Sequence, residues 1–450
     1  MENLDMIVSK YEDLGIDILK ELISYKSIQM DGTVEYPFGK DINDCLNAFL
    51  KIGKDLGFKA INHNNYFGVL EYGDKDDVLC ILCHLDVVPV NNSEWKTNPF
   101  ELTIKDGIMY GRGTTDDKGP LASVMVAVKA LIDEEFIPNK KIRIVVGLDE
   151  ECGTKSIDEY KKIYGEPLMA FSPDADFPVI NGEKAIISYD ITGDVSEDIF
   201  VSCEAGERYN IVPSKCEFIL KKDLKYEFIE YLKKNNYRGG ILNDDTYVVY
   251  GQASHAMAPD KGLNAIYIMF DFLSNYSNSN LARFIQKYYL WDNKGEKAGY
   301  ADMDSEMKEL TSNLALIRIN GSKLRMGFNV RAPKNDSFDV IPDKVGKICR
   351  EYGFDVNFLG GKKVHYVDKN SELVQKLLSV YRDISGELCD ALTIGGGTYA
   401  REFKNAVAFG PQRVNAEDVC HISNEYMSIK DFEFAIKVYY KAIKELTKWD

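Results

Sequence analysis

Hydrophobic residues follow two different patterns along this chain. Toward both ends, apolar positions at helical spacing alternate with short apolar runs, of which the unbroken run 78–83 and the mainly apolar segment 141–147 are the clearest. Runs of this length are typical of parallel strands that are buried on both faces. In the middle of the chain, residues 185–192 and 202–220 instead alternate between apolar and polar, which is typical of antiparallel strands.

The helical patterns complete this division into domains. They cover residues 3–25, 42–56, 121–131, 371–384 and 431–446 outside the middle region, and residues 262–273, 281–289 and 340–352 within it. Strands alternating with helices predict an α/β fold, with a mostly parallel central sheet flanked by helices and interrupted by an α+β insertion. We place the first part of the main domain at 1–183, the insertion at 184–366 and the second part at 367–450.

Composition narrows the classes of function. The net charge of −16 over 450 residues argues against nucleic-acid binding, which relies on a basic surface. No apolar stretch approaches the roughly 20 residues that span a bilayer, so we expect no membrane association. Nine cysteines are scattered, and the N-terminus lacks a basic segment followed by an apolar core. We therefore expect a protein of the reducing cytoplasm.

Histidine and acidic residues gather where predicted strands end. His84 and Asp86 directly follow the buried run 78–83, and their spacing puts them on one face of the extended chain. Open α/β sheets place their chemistry at the carboxyl ends of such strands. Asp116 lies in a glycine-punctuated turn just before the helical pattern 121–131. These residues predict a site at one edge of the sheet.

Three further segments carry side chains of the same kind. Glu150 and Glu151 follow the strand 141–147, Asp174 lies between two prolines, and His421 lies in a polar loop. Histidines and carboxylates together suit Zn²⁺, Mn²⁺ or Co²⁺. Two such ions about 3.5–4 Å apart polarise a carbonyl and lower the pKa of a shared water to about 7. A nearby carboxylate that binds no metal ion would take the proton from this water and give a proton to the leaving amine.

These motifs resemble those of the dinuclear metallopeptidases, a family that includes dipeptidases, carnosinases, glutamate carboxypeptidase, acetylornithine deacetylase, a desuccinylase and aminoacylase-1. The matching segments are His84-Leu-Asp-Val-Val-Pro89, Gly111-Arg-Gly-Thr-Thr-Asp-Asp-Lys-Gly119, Asp149-Glu-Glu151, Ser172-Pro-Asp174 and His421. Segments 95–100, 171–184 and 394–399 are most similar to the peptidase V-type bacterial dipeptidases. The resemblance covers nearly the whole chain, and it implies a catalytic domain interrupted by a lid domain.

The resemblance also implies a set of metal ligands. Asp116 would bridge two divalent ions, His84 and Asp174 would complete one site, and Glu151 and His421 would complete the other. Zn²⁺ is the ion that we expect first, with Mn²⁺ or Co²⁺ as alternatives.

Two further catalytic roles follow from the same resemblance. Glu150 would be the general base that later protonates the leaving amine, and Asp86 would orient His84. His255 would contribute from the lid domain by donating a hydrogen bond to the developing oxyanion.

The resemblance places the substrate contacts in the lid domain and in a triple glycine. Arg331 would bind the terminal carboxylate with its planar guanidinium group. Asn210 and the main-chain amides of Gly395, Gly396 and Gly397 would add neutral donors.

The reaction that these roles imply is hydrolysis of the amide bond in dipeptides with a free carboxyl terminus. A monomer is expected rather than a dimer, because the long insertion is similar to that of monomeric relatives. The first alternative is an N-acyl amino acid deacylase, of the desuccinylase or aminoacylase type. The second is a catalytically silent metal- or peptide-binding protein, which would have no need for Glu150 as an unliganded base.

Several neighbouring residues admit other interpretations. Asp117 and Asp176 lie close to proposed ligands and are alternatives for those roles. Cys80 and Cys83 have half the spacing of a zinc knuckle, but they lie in a strand pattern and are expected to be core residues. A nucleophilic thiol at Cys420 would leave the acidic motifs unexplained, so we reject it.

Overall fold

The structure is a computed structural model that describes residues 4–243, 245–335, 337–413 and 416–449. Its α-helices are α1 Leu4–Ile23, α2 Lys40–Asp55, α3 Lys118–Asp133, α4 Lys155–Tyr164, α5 Lys225–Asn235, α6 Ala265–Leu273, α7 Asn280–Tyr288, α8 Ser337–Glu351, α9 Glu372–Ser385 and α10 Ile429–Thr447.

The first strands of the chain are β1 Lys59–His63, β2 Phe67–Tyr72, β3 Val78–His84, β4 Thr103–Lys105, β5 Ile108–Tyr110, β6 Lys141–Gly147, β7 Met169–Ser172, β8 Ala175–Asp176, β9 Ile180–Glu183, β10 Ala185–Asp194, β11 Phe200–Ala205 and β12 Lys215–Leu220. The remaining strands are β13 Arg238–Leu242, β14 Thr246–Tyr250, β15 Met303–Asp304, β16 Lys308–Glu309, β17 Thr311–Asn320, β18 Lys323–Ala332, β19 Asp355–Lys362, β20 His365–Tyr366, β21 Leu392–Ile394, β22 Ala406–Ala408, β23 Pro411–Gln412 and β24 Tyr426–Ser428.

The chain divides into two compact units. Unit 1 comprises Met1–Asn181, Val367–Leu392 and Gly397–Asp450, and unit 2 comprises Gly182–Tyr366 and Thr393–Gly396. The sequence patterns place the boundaries at 183/184 and 366/367, and they contain no sign of the short return of residues 393–396 to unit 2. The functional division into a catalytic domain and a lid stays a prediction.

Unit 1 contains a mixed sheet with the strand order β1-β2-β6-β3-β7-β22. Its centre is parallel, since β6, β3, β7 and β22 pair with one another in parallel. The strands β1, β2 and β6 pair antiparallel. A short turn joins β1 to β2, and a turn of this length reverses the chain and leaves no room for the crossover that a parallel pair needs. The predicted α/β class is confirmed, and parallel pairing extends from β6 to β22.

The central strand β3 is buried along its whole length. Leu79, Ile81 and Cys83 pack into a core that contains residues of α1, α3 and α10. Cys80 and Leu82 pack on the opposite face, in a cluster that contains residues of α4. This two-sided burial explains the unbroken apolar run in the sequence, and it agrees with the predicted place of both cysteines in the core.

Unit 2 contains an antiparallel sheet with the strand order β13-β14-β12-β11-β17-β18-β10-β19. Residues of α5, α6, α7 and α8 pack with its strands in one hydrophobic core. The predicted stretch 202–220 is two strands, β11 and β12, which pair with each other. No described helix is both long and apolar enough to cross a bilayer.

Candidate metal centre

Three neighbouring strand ends position the acidic residues of the site. The strands β6, β3 and β7 are adjacent and parallel, so their carboxyl ends lie at the same edge of the sheet. His84 is the last residue of β3, Glu150 and Glu151 follow β6, and Asp174 follows β7. The structure therefore brings together side chains that are separated in the sequence, at the edge that the strand patterns predict.

His84 has a fixed orientation. Its Nδ1 donates to the main-chain carbonyl of Asp86 at 2.9 Å, and the Asp86 carboxylate lies 3.4 Å from the same nitrogen. The ring is buried, and its Nε2 is thereby directed toward Asp116. This is the arrangement in which a neutral imidazole presents Nε2 as a ligand.

The Asp116 carboxylate lies between the two histidines. One of its oxygens is 2.9 Å from Nε2 of His84, and the other is 2.9 Å from Nε2 of His421. A carboxylate that bridges two metal ions needs one oxygen for each ion. Asp116 thus has one oxygen near each imidazole, and the bridging role that the family resemblance implies for it stays a prediction.

Six side chains, including that of Asp116, form two groups of candidate metal ligands. The first group is His84, Glu150 and Asp174, and the second is Asp116, Glu151 and His421; within each, the candidate ligand atoms lie within 4.8 Å of one another. Imidazole nitrogens and carboxylate oxygens make up both groups, and this donor set fits Zn²⁺, Mn²⁺ or Co²⁺.

The carboxylate of Asp86 has a second contact beyond His84. Its two oxygens accept hydrogen bonds from the main-chain amides of Glu150 and Glu151, at 3.1 and 3.0 Å. Asp86 is buried, so water does not compete for these bonds. The Asp86 side chain thus fixes the position of His84 relative to the loop that carries Glu150 and Glu151.

The site holds more negative charge than its histidines balance. Burial raises the pKa of the Glu150 and Asp174 carboxyls well above their usual range, and the charge of Asp116 raises both further. Burial by itself would lower the pKa of His421, but hydrogen bonds to Asp116 and Glu151 outweigh it and raise that pKa to about 11. Such a group of acids binds cations in preference to remaining charged and unpaired.

Two acidic neighbours have other contacts. Asp117 is fully buried, and its carboxylate accepts a hydrogen bond from the main-chain amide of His84 at 3.0 Å. Among the described residues, the two candidate ligand groups include neither Asp117 nor Asp176. The geometry thus favours Asp116 and Asp174 over these alternatives.

Sequence reasoning missed Glu425, a fully buried acid in the loop that follows His421. Its carboxylate accepts hydrogen bonds from the turn that carries Asp116. Its partners are main-chain amides and the Arg112 side chain, all far away in the sequence, so no motif or periodicity could have indicated it.

In unit 2 the structure places Asn210 and His255 side by side. Ile211 and His255 form an isolated β-bridge, and the amide of Ala256 donates to the carbonyl of Asn210 at 2.8 Å. Nδ1 of His255 accepts a hydrogen bond from the amide of Met257 at 3.1 Å. A neutral imidazole that accepts at Nδ1 carries its proton on Nε2, which is therefore the donor nitrogen.

Arg331 contacts the first residue of the triple glycine within unit 2. Arg331 lies on β18, where its Nε donates to Oδ1 of Asn329 and its Nη1 donates to the carbonyl of Gly395, both at 2.8 Å. Gly396 also belongs to unit 2, whereas Gly397 belongs to unit 1. Whether these residues and the metal ligands act on one substrate stays a prediction.

Comparison with known proteins agrees with this geometry. A human carnosine dipeptidase 1 structure covers 99% of this chain with a TM-score of 0.63 and 15% identity, and 99% of that chain is covered. A structure of aminoacylhistidine dipeptidase from Vibrio alginolyticus covers 96% of each chain, with a TM-score of 0.56 and 15% identity. At these identities the likeness shows the fold.

Relatives are found at higher identity. Proteins from Staphylococcus epidermidis and Staphylococcus haemolyticus, both named "putative dipeptidase", are each 35% identical to this chain over 461 residues, with 98% of both chains covered. The sequence model of Peptidase family M20/M25/M40 matches residues 80–445. The predicted family resemblance is confirmed: the chain belongs to Peptidase family M20/M25/M40, a family of metal-dependent peptidases.

Proposed function

We propose that this protein is a metal-dependent dipeptidase, which hydrolyses the amide bond of dipeptides that have a free C-terminal carboxylate. One observation carries the proposal: the Asp116 carboxylate lies 2.9 Å from both His84 and His421, within a group of partly buried acids. The names of the relatives that match over nearly the whole chain support dipeptides as the substrate class.

The proposed metal ligands are five of the six residues in the two groups, and the sixth, Glu150, is proposed as the base. Asp116 would contact both ions, His84 and Asp174 would complete one site, and Glu151 and His421 the other. When bound, two divalent ions polarise a peptide carbonyl and lower the pKa of a water molecule held between them. We propose Zn²⁺ as the first ion to test, followed by Mn²⁺ and Co²⁺.

Glu150 is the proposed carrier of the proton. Its carboxylate lies within 4.8 Å of the ligand atoms of His84 and Asp174, close enough to the proposed ions to exchange a proton with a water molecule there. In the proposed reaction it takes the proton from the attacking water and delivers it to the nitrogen of the leaving amine. The Asp86 carboxylate holds the Glu150 amide at 3.1 Å, which limits the movement of this loop.

The proposed substrate contacts lie on unit 2, except for Gly397, which belongs to unit 1. The Nε2–H of His255 is a suitable donor to the oxygen that gains negative charge, because Nδ1 is already an acceptor. The guanidinium of Arg331 is planar and suits a terminal carboxylate. Asn210 and the amides of residues 395–397 would add neutral donors.

A comparison of free and acylated substrates tests this proposal. The metal-stripped protein is reloaded with Zn²⁺ or Mn²⁺, and hydrolysis of free dipeptides is measured beside their N-acetyl and N-succinyl counterparts. Metal-dependent cleavage of the free dipeptides is the expected result. Preference for acylated compounds would identify a deacylase, and loaded protein without turnover on either set would identify a binding protein. The cytoplasmic location and the monomeric state stay predictions.

A further inference from the structure

Glu425 is a buried acid that none of the proposed catalytic steps uses. Its side chain is 0% exposed, and it is 309 residues away in the sequence from Asp116. It lies four residues after His421, and the fold places its carboxylate against the turn that carries Asp116. An acid in this position needs several partners, because an isolated buried carboxylate is strongly disfavoured.

The partners of this carboxylate are unusually numerous. Oε2 accepts from Nη1 of Arg112 at 2.7 Å, in a pair that is almost completely buried. The amide of Gly113 lies 3.1 Å from both oxygens. Oε1 also accepts from the amides of Thr115 at 2.8 Å and Asp116 at 3.2 Å. A single side chain thus binds the main chain on both sides of Thr114 and neutralises the adjacent arginine.

Other contacts join the same two segments. The amide of Gly111 donates to the carbonyl of Glu425 at 3.1 Å, and Oγ1 of Thr115 donates to the carbonyl of Tyr426 at 2.7 Å. The strand β24, which begins at Tyr426, pairs with β5 just before Gly111. The loop with His421 and the turn with Asp116 are therefore one connected structure, with the Glu425 carboxylate at its centre.

The chemistry of the donors requires a carboxylate at this position. All of the partners are N–H groups, and together they occupy both oxygens. A glutamine has one oxygen and one amino group, so its amino group would face an N–H donor or the Arg112 guanidinium. Leaving these buried donors without an acceptor displaces the main chain that positions Asp116.

We propose that Glu425 is a positioning residue, which sets the spacing of Asp116 and His421 as ligands of divalent ions. The inference rests on the proposed metal-dependent function, but it concerns ion binding and does not depend on which substrate is cleaved. Groups that orient metal ligands typically change metal affinity by about 10- to 100-fold when they are replaced. We expect a loss of that size for Glu425→Gln.

The test is a calorimetric titration of metal-stripped protein with Zn²⁺ and, separately, with Mn²⁺. Glu71→Gln is the matched control, because Glu71 is also a buried acid of unit 1 that accepts hydrogen bonds from an arginine, Arg143, and it contacts none of the proposed ligands. Thermal unfolding of each metal-free variant is measured in parallel, so that a loss of metal affinity is separated from a loss of stability.

The expected result is that Glu425→Gln binds the ions about 10- to 100-fold more weakly, while Glu71→Gln lowers the unfolding temperature and binds them as the unaltered chain does. Unchanged affinity in Glu425→Gln, or an equal loss in both variants, overturns the inference. If Glu425→Gln does not fold, Glu425→Asp decides, since it keeps the charge beside Arg112 but shortens the reach to the amides. Weaker binding supports the proposal, and unchanged binding overturns it.

Failure of the proposed dipeptidase function gives a different pattern. In that case the unaltered chain binds the ions but cleaves no dipeptide, and the difference in affinity between Glu425→Gln and Glu71→Gln is still measured. The two proposals therefore fail in distinguishable ways.

Discussion

Unit 1 contains two sets of buried acids that differ in their charge balance. In one, Glu71 on β2 accepts two hydrogen bonds from Arg143 on β6, at 2.9 and 2.6 Å, and lies 3.2 Å from Lys59. Burial by itself would raise the pKa of Glu71, but the hydrogen bonds from Arg143 outweigh it and lower this pKa below its usual range. This carboxylate is balanced by cations of the protein.

In the other set, the acids at the ends of β3, β6 and β7 face two imidazoles and one another. Burial raises the pKa of Glu150, Glu151 and Asp174 there, and neighbouring carboxylates add to the shift. Glutamates thus have opposite pKa shifts in one unit: the Arg143 guanidinium outweighs burial at Glu71, whereas burial and neighbouring carboxylates outweigh the imidazoles at Glu150 and Glu151. The comparison indicates that the second set is built for cations that the protein binds from solution.

The largest expected effect comes from removing the residue between the two histidines. Asp116→Ala deletes the carboxylate that lies 2.9 Å from each imidazole, so both ions lose a ligand. We expect peptide hydrolysis to fall to background and the dialysed variant to contain neither ion. Metal analysis together with a dipeptide assay measures both quantities. Two retained ions with substantial turnover would show that Asp116 is not the bridge.

Replacement of Glu150 tests whether this residue acts as the general base or as a metal ligand. If Glu150 carries the proton, Glu150→Gln lowers kcat by about 10²- to 10⁴-fold and both ions stay bound. Glu151→Gln, its neighbour in the second group, should instead weaken metal binding. Loss of one ion from Glu150→Gln would assign Glu150 to the ligands, together with His84 and Asp174.

A smaller loss of activity is expected when His255 is replaced, a residue that belongs to neither set of acids. His255→Ala removes an Nε2–H donor, and the loss of one such donor lowers kcat by about 10²- to 10³-fold in other hydrolases. Metal content should equal that of the unaltered chain. Full activity in this variant would exclude a role for unit 2 in stabilising the oxyanion.

Breaking the pair of Glu71 and Arg143 should lower stability without changing metal binding or catalysis. Glu71→Gln leaves Arg143 buried without its carboxylate, which typically costs about 3–5 kcal/mol of unfolding free energy. Urea unfolding measures this loss, while metal content and dipeptide hydrolysis below the transition should be unchanged. A loss of bound metal in Glu71→Gln would contradict the claim that only the second set of acids serves metal binding.

The same pair predicts a dependence of stability on pH. Because the folded pKa of Glu71 is lowered, its stabilising contribution is fully present above its unfolded pKa of 4.5 and is lost as the pH falls through the folded value. The difference in unfolding free energy between Glu71→Gln and the unaltered chain should therefore be constant near neutral pH and shrink below about pH 4.5. A difference that grows in acid would contradict the pairing with Arg143.

Sequence patterns predicted the elements that are buried most uniformly. The strand β3 and the helix α3 are buried along nearly their whole length, so their apolar residues stand out in the sequence. The helix α4 was missed because only Ser156, Ile157 and Tyr160 of its ten residues are buried. The edge strand β19 was missed because most of its residues are exposed and it contains two glycines.

The candidate site shows the same division between what patterns reveal and what they hide. His84, Glu151 and Asp174 follow strands, so their convergence could be predicted from the strand order expected of an α/β sheet. The role of Glu425 could not be predicted, because most of its partners are main-chain amides whose positions depend on the finished fold. Contacts through the backbone leave no residue-type pattern in the sequence.

The measurement that tests the central claim most directly is a metal titration of the stripped protein with simultaneous counting of bound ions and hydrolysis of one free dipeptide. The account predicts that hydrolysis is absent without metal, rises as ions bind, and reaches its limit at two ions per chain, as the two groups around Asp116 require. Full hydrolysis by protein from which all metal has been removed would contradict it.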